Sequence, residues 1–409
     1  MSSDEQEEPL GVRIRSFDKR KDGSRVEELE RMCEVGSTKS PFLFTDTLGD
    51  PLCRIRNSPS YKMLVAELGE EMVGIIRGSI KIVSVGNPKP NPNTTPNEGE
   101  AKVGYILGLR VSPLFRRRGI GLLLVCKMEE WFMANLVDYA YMATEKKNEA
   151  SIKLFADKLG YSKFRSSMIL VNPVKQHVVH IPSNVVIEKL TLAQAENLYR
   201  KFMSSTEFFP KDIDRVLTNK LSLGTWIAHA QGESWNGLED DRSSSSSSSI
   251  STPTSWAMLS VWNCVEVFKL RVGRAPCACV LLAKVSRLIS RVLLPCIRVP
   301  SMPDLFTPFG FYFMYGIHGE GLLASKLVNS LCHHVHNLAV EREDCKVIVT
   351  EIGGSDELRH HIPHWKFLSC SEDLLCMKAL MISKNEDIPF TDWTKTPSPP
   401  TLFIDPREV

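Results

Sequence analysis

Residues 111–121 read Val111-Ser112-Pro113-Leu114-Phe115-Arg116-Arg117-Arg118-Gly119-Ile120-Gly121, three adjacent arginines followed by Gly-x-Gly. The chemistry this spacing suits is binding of a pyrophosphate. Successive backbone N–H groups at a helix N-terminus hold such an anion only if the backbone comes close, and a Cβ at Gly119 or Gly121 would obstruct that approach. Arginines add charge-assisted hydrogen bonds to phosphate oxygens. A lone Gly-x-Gly also fits a plain tight turn, so the flanks decide. Residues 103–111 alternate as a strand, and Leu124, Val125, Met128, Trp131 and Phe132 form one apolar face of a helix. The loop thus joins a strand to a helix N-terminus.

Two other clusters could carry chemistry. Cys332 and His336 share a helix face at i, i+4, with His333 and His334 beside them, which would suit a metal. No second ligand pair has a fixed spacing to them, so no metal is expected, and His360, His361 and His364 read as ordinary polar residues of a loop or short helix. Gly316-Ile317-His318-Gly319-Glu320-Gly321 is a second glycine-rich run. It lacks arginine, and Glu320 would set a negative charge beside any phosphate. That run predicts a degenerate unit contributing packing, a substrate groove or a partner surface.

The elements around these motifs follow an order that recurs. Val12 to Arg15 alternate as a strand, and Ser24-Arg25-Val26-Glu27 has capping-box spacing for a helix start. Two strands flank a turn at Gly69-Glu70-Glu71, a Pro- and Asn-rich loop spans 88–96, and the strand before the arginines follows. Near Val185 a strand opens the same sequence again. Thr191-Leu192-Ala193-Gln194 has capping-box spacing, strands are centred on Trp226-Ile227-Ala228, Trp256 to Leu259 and Phe311 to Met314, a helix begins near Leu322, and Val347-Ile348-Val349 is a strand. A diverged structural duplication is expected. Its units are 11–173 and 185–382, the second interrupted by a flexible serine-rich insertion at 239–255, with a C-terminal tail at 383–409. Residues 278–292 read as a basic amphipathic helix packed on its own domain.

With 50 Lys plus Arg against 48 Asp plus Glu, the net charge is only +2, which argues against broad nucleic-acid binding. No apolar run reaches the ~18 residues that cross a bilayer. The acidic first residues do not resemble a signal peptide, and eleven cysteines without a CxxC pair suggest reduced thiols in an intracellular compartment.

The residues 109–121 resemble the GNAT N-acetyltransferase pattern: Leu109-Arg110-Val111-Ser112-Pro113 as its strand end, and Arg116 to Gly121 as its R/Q-x-x-G-x-G/A loop. Asn148-Glu149-Ala150-Ser151-Ile152-Lys153-Leu154-Phe155, followed by Gly160-Tyr161, resembles the family's next helix. Within the superfamily the chain resembles the plant Hookless-type probable N-acetyltransferases. The matching residues are Arg31 to Gly36, Leu43 to Asp46, Leu48 to Pro51, Thr206 to Pro210, Leu221 to Thr225, Ile362 to Lys366 and Asp405 to Glu408.

The resemblance implies an α/β fold: a GNAT-type mixed sheet with helices on both faces, whose fourth and fifth strands splay to admit acetyl-CoA as co-substrate. It assigns cofactor binding to Leu109, Val111, Arg116, Arg117, Arg118, Gly119, Ile120, Gly121 and Asn148, and catalysis to Tyr105 and Glu145. Tyr105 reads equally as a packed strand aromatic and Glu145 as a solvated carboxylate. Phe155 stands where many relatives carry a tyrosine that reprotonates the CoA thiolate. The implied activity is acetyl transfer to an amine of a protein or peptide, histone lysines among the candidates, by a regulator of plant growth and hormone responses in the nucleus. The alternatives are a non-catalytic acetyl-CoA-binding regulator, and the cytoplasm. Neither sequence-specific nucleic-acid binding nor membrane association is expected.

Overall fold

The computed structural model describes residues 11–33, 42–86, 99–175, 177–233, 253–273, 303–381 and 392–409. The 88–96 loop, the serine run and the 278–292 helix lie outside the described residues. Twelve strands form one mixed sheet. From one edge the order is β1 (Val12–Ser16), β3 (Ser60–Leu68), β4 (Glu71–Ser84), β5 (Glu100–Val111) and β6 (Tyr139–Glu145). From the other it is β8 (Val185–Lys189), β9 (Ser222–Ala230), β10 (Trp256–Asn263), β12 (Gly310–Glu320) and β13 (Cys345–Gly353). Between them lie β14 (Cys370–Ala379) and β7 (Ser162–Pro173), while β2 (Phe42–Asp46) and β11 (Lys269–Gly273) pair apart.

Each half therefore repeats the same order. In both, antiparallel strands lead to one parallel pair, β5 with β6 and β12 with β13. A helix crosses between the members of each pair, α2 (Ile120–Ala134) in the first half and a later helix (Ala324–Val340) in the second. The expected duplication is present, and its closing strands are exchanged: β14 of the second half pairs with β6, and β7 of the first pairs with β13. The sheet is continuous across the boundary as a result.

Local physics accounts for the elements. Helix α1 (Lys19–Met32) starts well before Ser24, because Asp18 caps it by accepting from the Arg20 N–H at 2.9 Å. The capping-box spacing at Ser24 falls inside a formed helix. At Thr191 the capping box is real, with both reciprocal bonds made, and it opens α4 (Leu192–Met203). A short α3 (Glu149–Ile152) runs on as one π-helical turn, and α5 (Ile213–Leu217) completes the second half before the long helix, here α6 (Ala324–Val340).

The described part of the expected tail, residues 392–409, contributes to the core. Trp393, Phe403, Asp405 and Arg407 are all buried. Arg165 makes a two-pronged pair with Glu207 at 2.8 Å, and Trp393 Nε1 donates to the same carboxylate at 2.6 Å. Arg407 bridges Asp405 and Asp212, while Lys81 on β4 meets Asp405 at 3.2 Å and Glu408 at 2.7 Å. This segment fastens both halves to the sheet face opposite α2.

Candidate active site

Strand β5 carries one residue too many for β4. Leu107 faces Arg77, but Arg110 already faces Ile75, and Gly108 inside the slip has φ 61°. A bulge of this kind bends its strand. On the other side, pairing with β6 stops at Ile106 opposite Met142. Residues 107–111 and 143–145 therefore diverge into a wedge. Glycine is required at the bulge because a Cβ on Gly108 would lie 2.6 Å from Arg77 Nη1. That guanidinium is buried, paired with Glu30 at 2.8 Å and donating to the Pro51 carbonyl at 2.7 Å.

The arginine loop lies at the mouth of the wedge. Gly119 is the N-cap of α2 with φ 84°, a left-handed conformation that favours glycine, and no side chain caps the helix. Its first N–H groups are thus free of side-chain competition for an anion. Arg116, Arg117 and Arg118 are exposed around them, Arg117 itself at φ 67° and Arg118 lying 5.1 Å over the Phe115 ring. Arg116 Nε donates to the Val111 carbonyl at 3.3 Å and the Cys33 thiol to the same oxygen at 3.4 Å, while Arg110 Nη1 donates to the Leu109 carbonyl at 3.1 Å. That bond uses only Nε, and the Nη groups of Arg116 remain donors for a phosphate. A Cβ on Gly121 would make only ordinary contacts of 3.5–3.9 Å with Leu154, Val111 and Leu109, so the protein itself does not demand glycine there. What that Cβ would take is space inside the wedge.

Tyr105 lies between Ser79 and Tyr141 in register, its ring centroid 4.8 Å from that of Tyr141. Burial, and next the charge of Glu408, push its hydroxyl far above the usual tyrosine range. It is a phenol able to donate, not a phenolate able to take a proton. Tyr141 donates to Glu408 at 2.5 Å, which ties this pair of tyrosines to the C-terminal segment. Glu145 is exposed at the end of β6. Asn148 caps α3, its side chain accepting from the Ser151 N–H at 3.2 Å, and Phe155 is buried edge-on against Tyr161. The Asn148 side-chain oxygen is thus used at the helix start while its NH2 group remains a donor, and Phe155 offers no proton.

The exchanged strand β14 brings a carboxylate that local sequence gave no reason to place here. Asp373 on β14 pairs with Glu145, so both project from the same side of the sheet on the wall formed by β6. Its Oδ1 is buried with no hydrogen-bond partner among the described residues, and burial, then the charge of Glu145, raise its carboxyl to about 6. Glu351 on β13 stands instead just past the last β12–β13 pairing, at the corresponding opening of the second half; it accepts from the Ser167 hydroxyl at 2.6 Å, and burial raises it to about 7. Ser167 in turn pairs with Asp373. Carboxyls poised near neutrality suit proton abstraction from an amine.

The second half keeps the wedge and closes it. Gly316 bulges β12 at φ 59°, two residues past the last β13 pairing at Met314, just as Gly108 stands two residues past Ile106. The run from Gly316 to Glu320 is strand, and only Gly321 begins the turn into α6. A Cβ on Gly321 would overlap the Thr254 carbonyl, and the Leu323 N–H donates to the Ser255 hydroxyl at 3.2 Å. Thr401, Leu402 and Ile404 line this second opening. His336 Nε2 accepts from the Lys175 N–H at 2.9 Å, and His334 lies 5.5 Å from the Trp226 ring. Their surroundings are those of packed polar side chains.

A bulged, splayed parallel pair with an uncapped helix N-terminus at its mouth is the acyl-CoA site of a GNAT-fold transferase. Residues 26–161 match the model of the acetyltransferase (GNAT) family. Two Arabidopsis thaliana proteins, "Probable N-acetyltransferase HLS1-like" and "Probable N-acetyltransferase HLS1", are each 48% identical to the chain across 97% of it and 99% of their own length. "Acetyl transferase GW6a" of Oryza sativa subsp. japonica is 35% identical over 97% of both chains. Saccharomyces cerevisiae N-myristoyltransferase, solved with bound myristoyl-CoA, shares the fold at TM-score 0.53 and 9% identity, covering 92% of this chain and 81% of that one. The chain belongs to the GNAT acetyltransferases, and within them to the HLS1-type N-acetyltransferases.

Proposed function

We propose that the chain transfers acetyl from acetyl-CoA to an amine of a protein or peptide, and that only the first wedge does so. The observation that carries this reading is the asymmetry between the halves. Neither helix start has a side-chain cap of its own, but the first is ringed by three exposed arginines, whereas in the second no arginine precedes the helix and the Leu323 N–H is taken by the Ser255 hydroxyl.

In this reading the α2 N-terminus and Arg116 to Arg118 hold the pyrophosphate, and the β5 edge at Leu109 and Val111 orients the thioester. Asp373, ionised above pH ~6, takes the proton of the incoming ammonium directly or through one water. The amine nitrogen forms its bond to the acyl carbon as the C–S bond breaks. The departing thiolate takes the proton now held by Asp373, or one from water; burial leaves the Tyr105 hydroxyl too weak an acid to give its own up, and Phe155 has none. Histone lysines, a nuclear site of action and a part in plant growth and hormone responses go with this reading through family resemblance. CoA release with pooled histone-tail, free N-terminal peptide and polyamine acceptors tests it. Release that depends on one pool supports transfer to that class; acetyl-CoA binding without release from any pool would favour a non-catalytic regulator.

A further inference from the structure

The proton balance above leaves a second feature of the same face unused. Between α1, β2 and the bulge lies a small cavity lined by Arg54, Arg77 and Arg110, with Glu30, Thr47 and Gly108. Three guanidinium groups there face one carboxylate. Glu30 is committed to Arg77. Arg110 has only the Leu109 carbonyl, and Arg54 only the Val409 carbonyl oxygen at 3.4 Å and the Phe268 ring face at 5.7 Å, among the described residues. Thr47 is 5% exposed, and its hydroxyl has no partner among the described residues. Burial weakens the hold of Arg110 on its proton, which is the expected cost of a buried cation without a counter-charge.

Such an excess of positive charge around an unpaired hydroxyl is a receptor for an anion. Planar guanidinium groups match a carboxylate in two-pronged fashion. The cavity shares Gly108 with the wedge, so an anion seated in it is a short reach from the reacting carbonyl. We infer that this cavity binds a carboxylate of the acceptor, and that the acceptor is an acidic peptide whose reacting amine lies a few bonds from that carboxylate. This deepens the transfer reading by naming its substrate class. It selects an N-terminal Asp or Glu, or a lysine flanked by acidic residues, over a uniformly basic tail.

The test uses the full chain and paired peptides that differ only in an Asp or Glu against Asn or Gln beside the amine. Turnover is followed by CoA release. In parallel, calorimetry measures binding of the N-acetylated peptide pairs to protein saturated with CoA, which does not require turnover. The acidic member is expected to be favoured roughly 10- to 100-fold in kcat/KM and in affinity, as for hydrogen bonds to charged groups. Arg110→Gln should remove that preference while leaving acetyl-CoA affinity unchanged, and Arg110→Lys should restore part of it. Arg54→Gln provides a second variant that disturbs no ion pair. Equal affinity for both members of each pair, or no affinity for either, overturns the inference. So does a loss of acetyl-CoA affinity in Arg110→Gln, which would assign the arginines to a CoA phosphate. Absence of turnover with retained acidic preference in binding would instead sink the transfer reading alone.

Discussion

Replacing Asp373 by Asn should make the protein more stable and less active at once. Its carboxyl stands at about 6 against 3.8 for an unperturbed group, close to two units, or about 3 kcal/mol as an upper bound. Because the side chain is only part-buried, about 1–2 kcal/mol is the better expectation after solvent screening. The sign follows from proton counting. Below pH ~4 the folded and unfolded forms both hold the proton, so nothing is lost. Between ~4 and ~6 the unfolded chain releases it first, and native stability falls as pH rises. Above ~6 the folded protein carries the whole penalty, and the Asp373→Asn variant would be free of it. With about 2 cal/mol/K of unfolding entropy per residue over 409 residues, the gain is about 1–2 °C in Tm at pH 7. Activity should move the other way, by roughly 10²- to 10⁴-fold, with loss of an acid limb in kcat/KM centred near pH 6. Thermal unfolding from pH 4 to 8 and pH–rate profiles of both proteins read the two effects separately. If the variant keeps its activity and its acid limb, Asp373 is not the base.

Further outcomes follow from the same geometry. Gly119→Val puts a branched side chain at φ 84°, costing about 1–2 kcal/mol of stability and raising the acetyl-CoA Kd at least ~10-fold, both measurable by calorimetry. Gly108→Ala forces either the left-handed bulge or Arg77 to give way, so kcat should fall with little change in acetyl-CoA affinity, as steady-state kinetics and titration would show. Glu207→Gln leaves Arg165 buried without its counter-charge, and a loss of about 3–5 kcal/mol in urea unfolding is expected. An unchanged midpoint there would mean that the C-terminal segment is not fastened as described.

The place of the arginine–glycine loop between a strand and a helix start was legible because its signal is local: strand, glycine, helix and adjacent arginines lie close together in the chain. The duplication was legible too, since element order survives when residue identity does not. The base was not. Asp373 reaches the wedge only because β14 crosses into the other half's sheet, and no short-range pattern announces an exchanged strand. The C-terminal segment misled for a related reason, since proline-rich spacing at 397–400 reads as solvated although Trp393, Phe403 and Arg407 around it are buried. The start of α1 was misplaced because Ser24 and Glu27 mimic a cap, whereas the deciding residue, Asp18, precedes a run of lysines and arginine that shows no apolar periodicity. Gly316 to Gly321 was placed by element order where the first half has its loop, but the position of Gly316 to Glu320 within a strand depended on a bulge visible only in three dimensions.

The central claim, one acyl-CoA site formed by the first wedge alone, is tested most directly by calorimetric titration of the full chain and of Gly121→Trp with acetyl-CoA. The indole would fill the space bounded by Leu109, Val111 and Leu154. A single equivalent bound by the wild type and none by the variant is the predicted result. Two equivalents, or one that persists in Gly121→Trp, would contradict the account by showing a site outside this wedge.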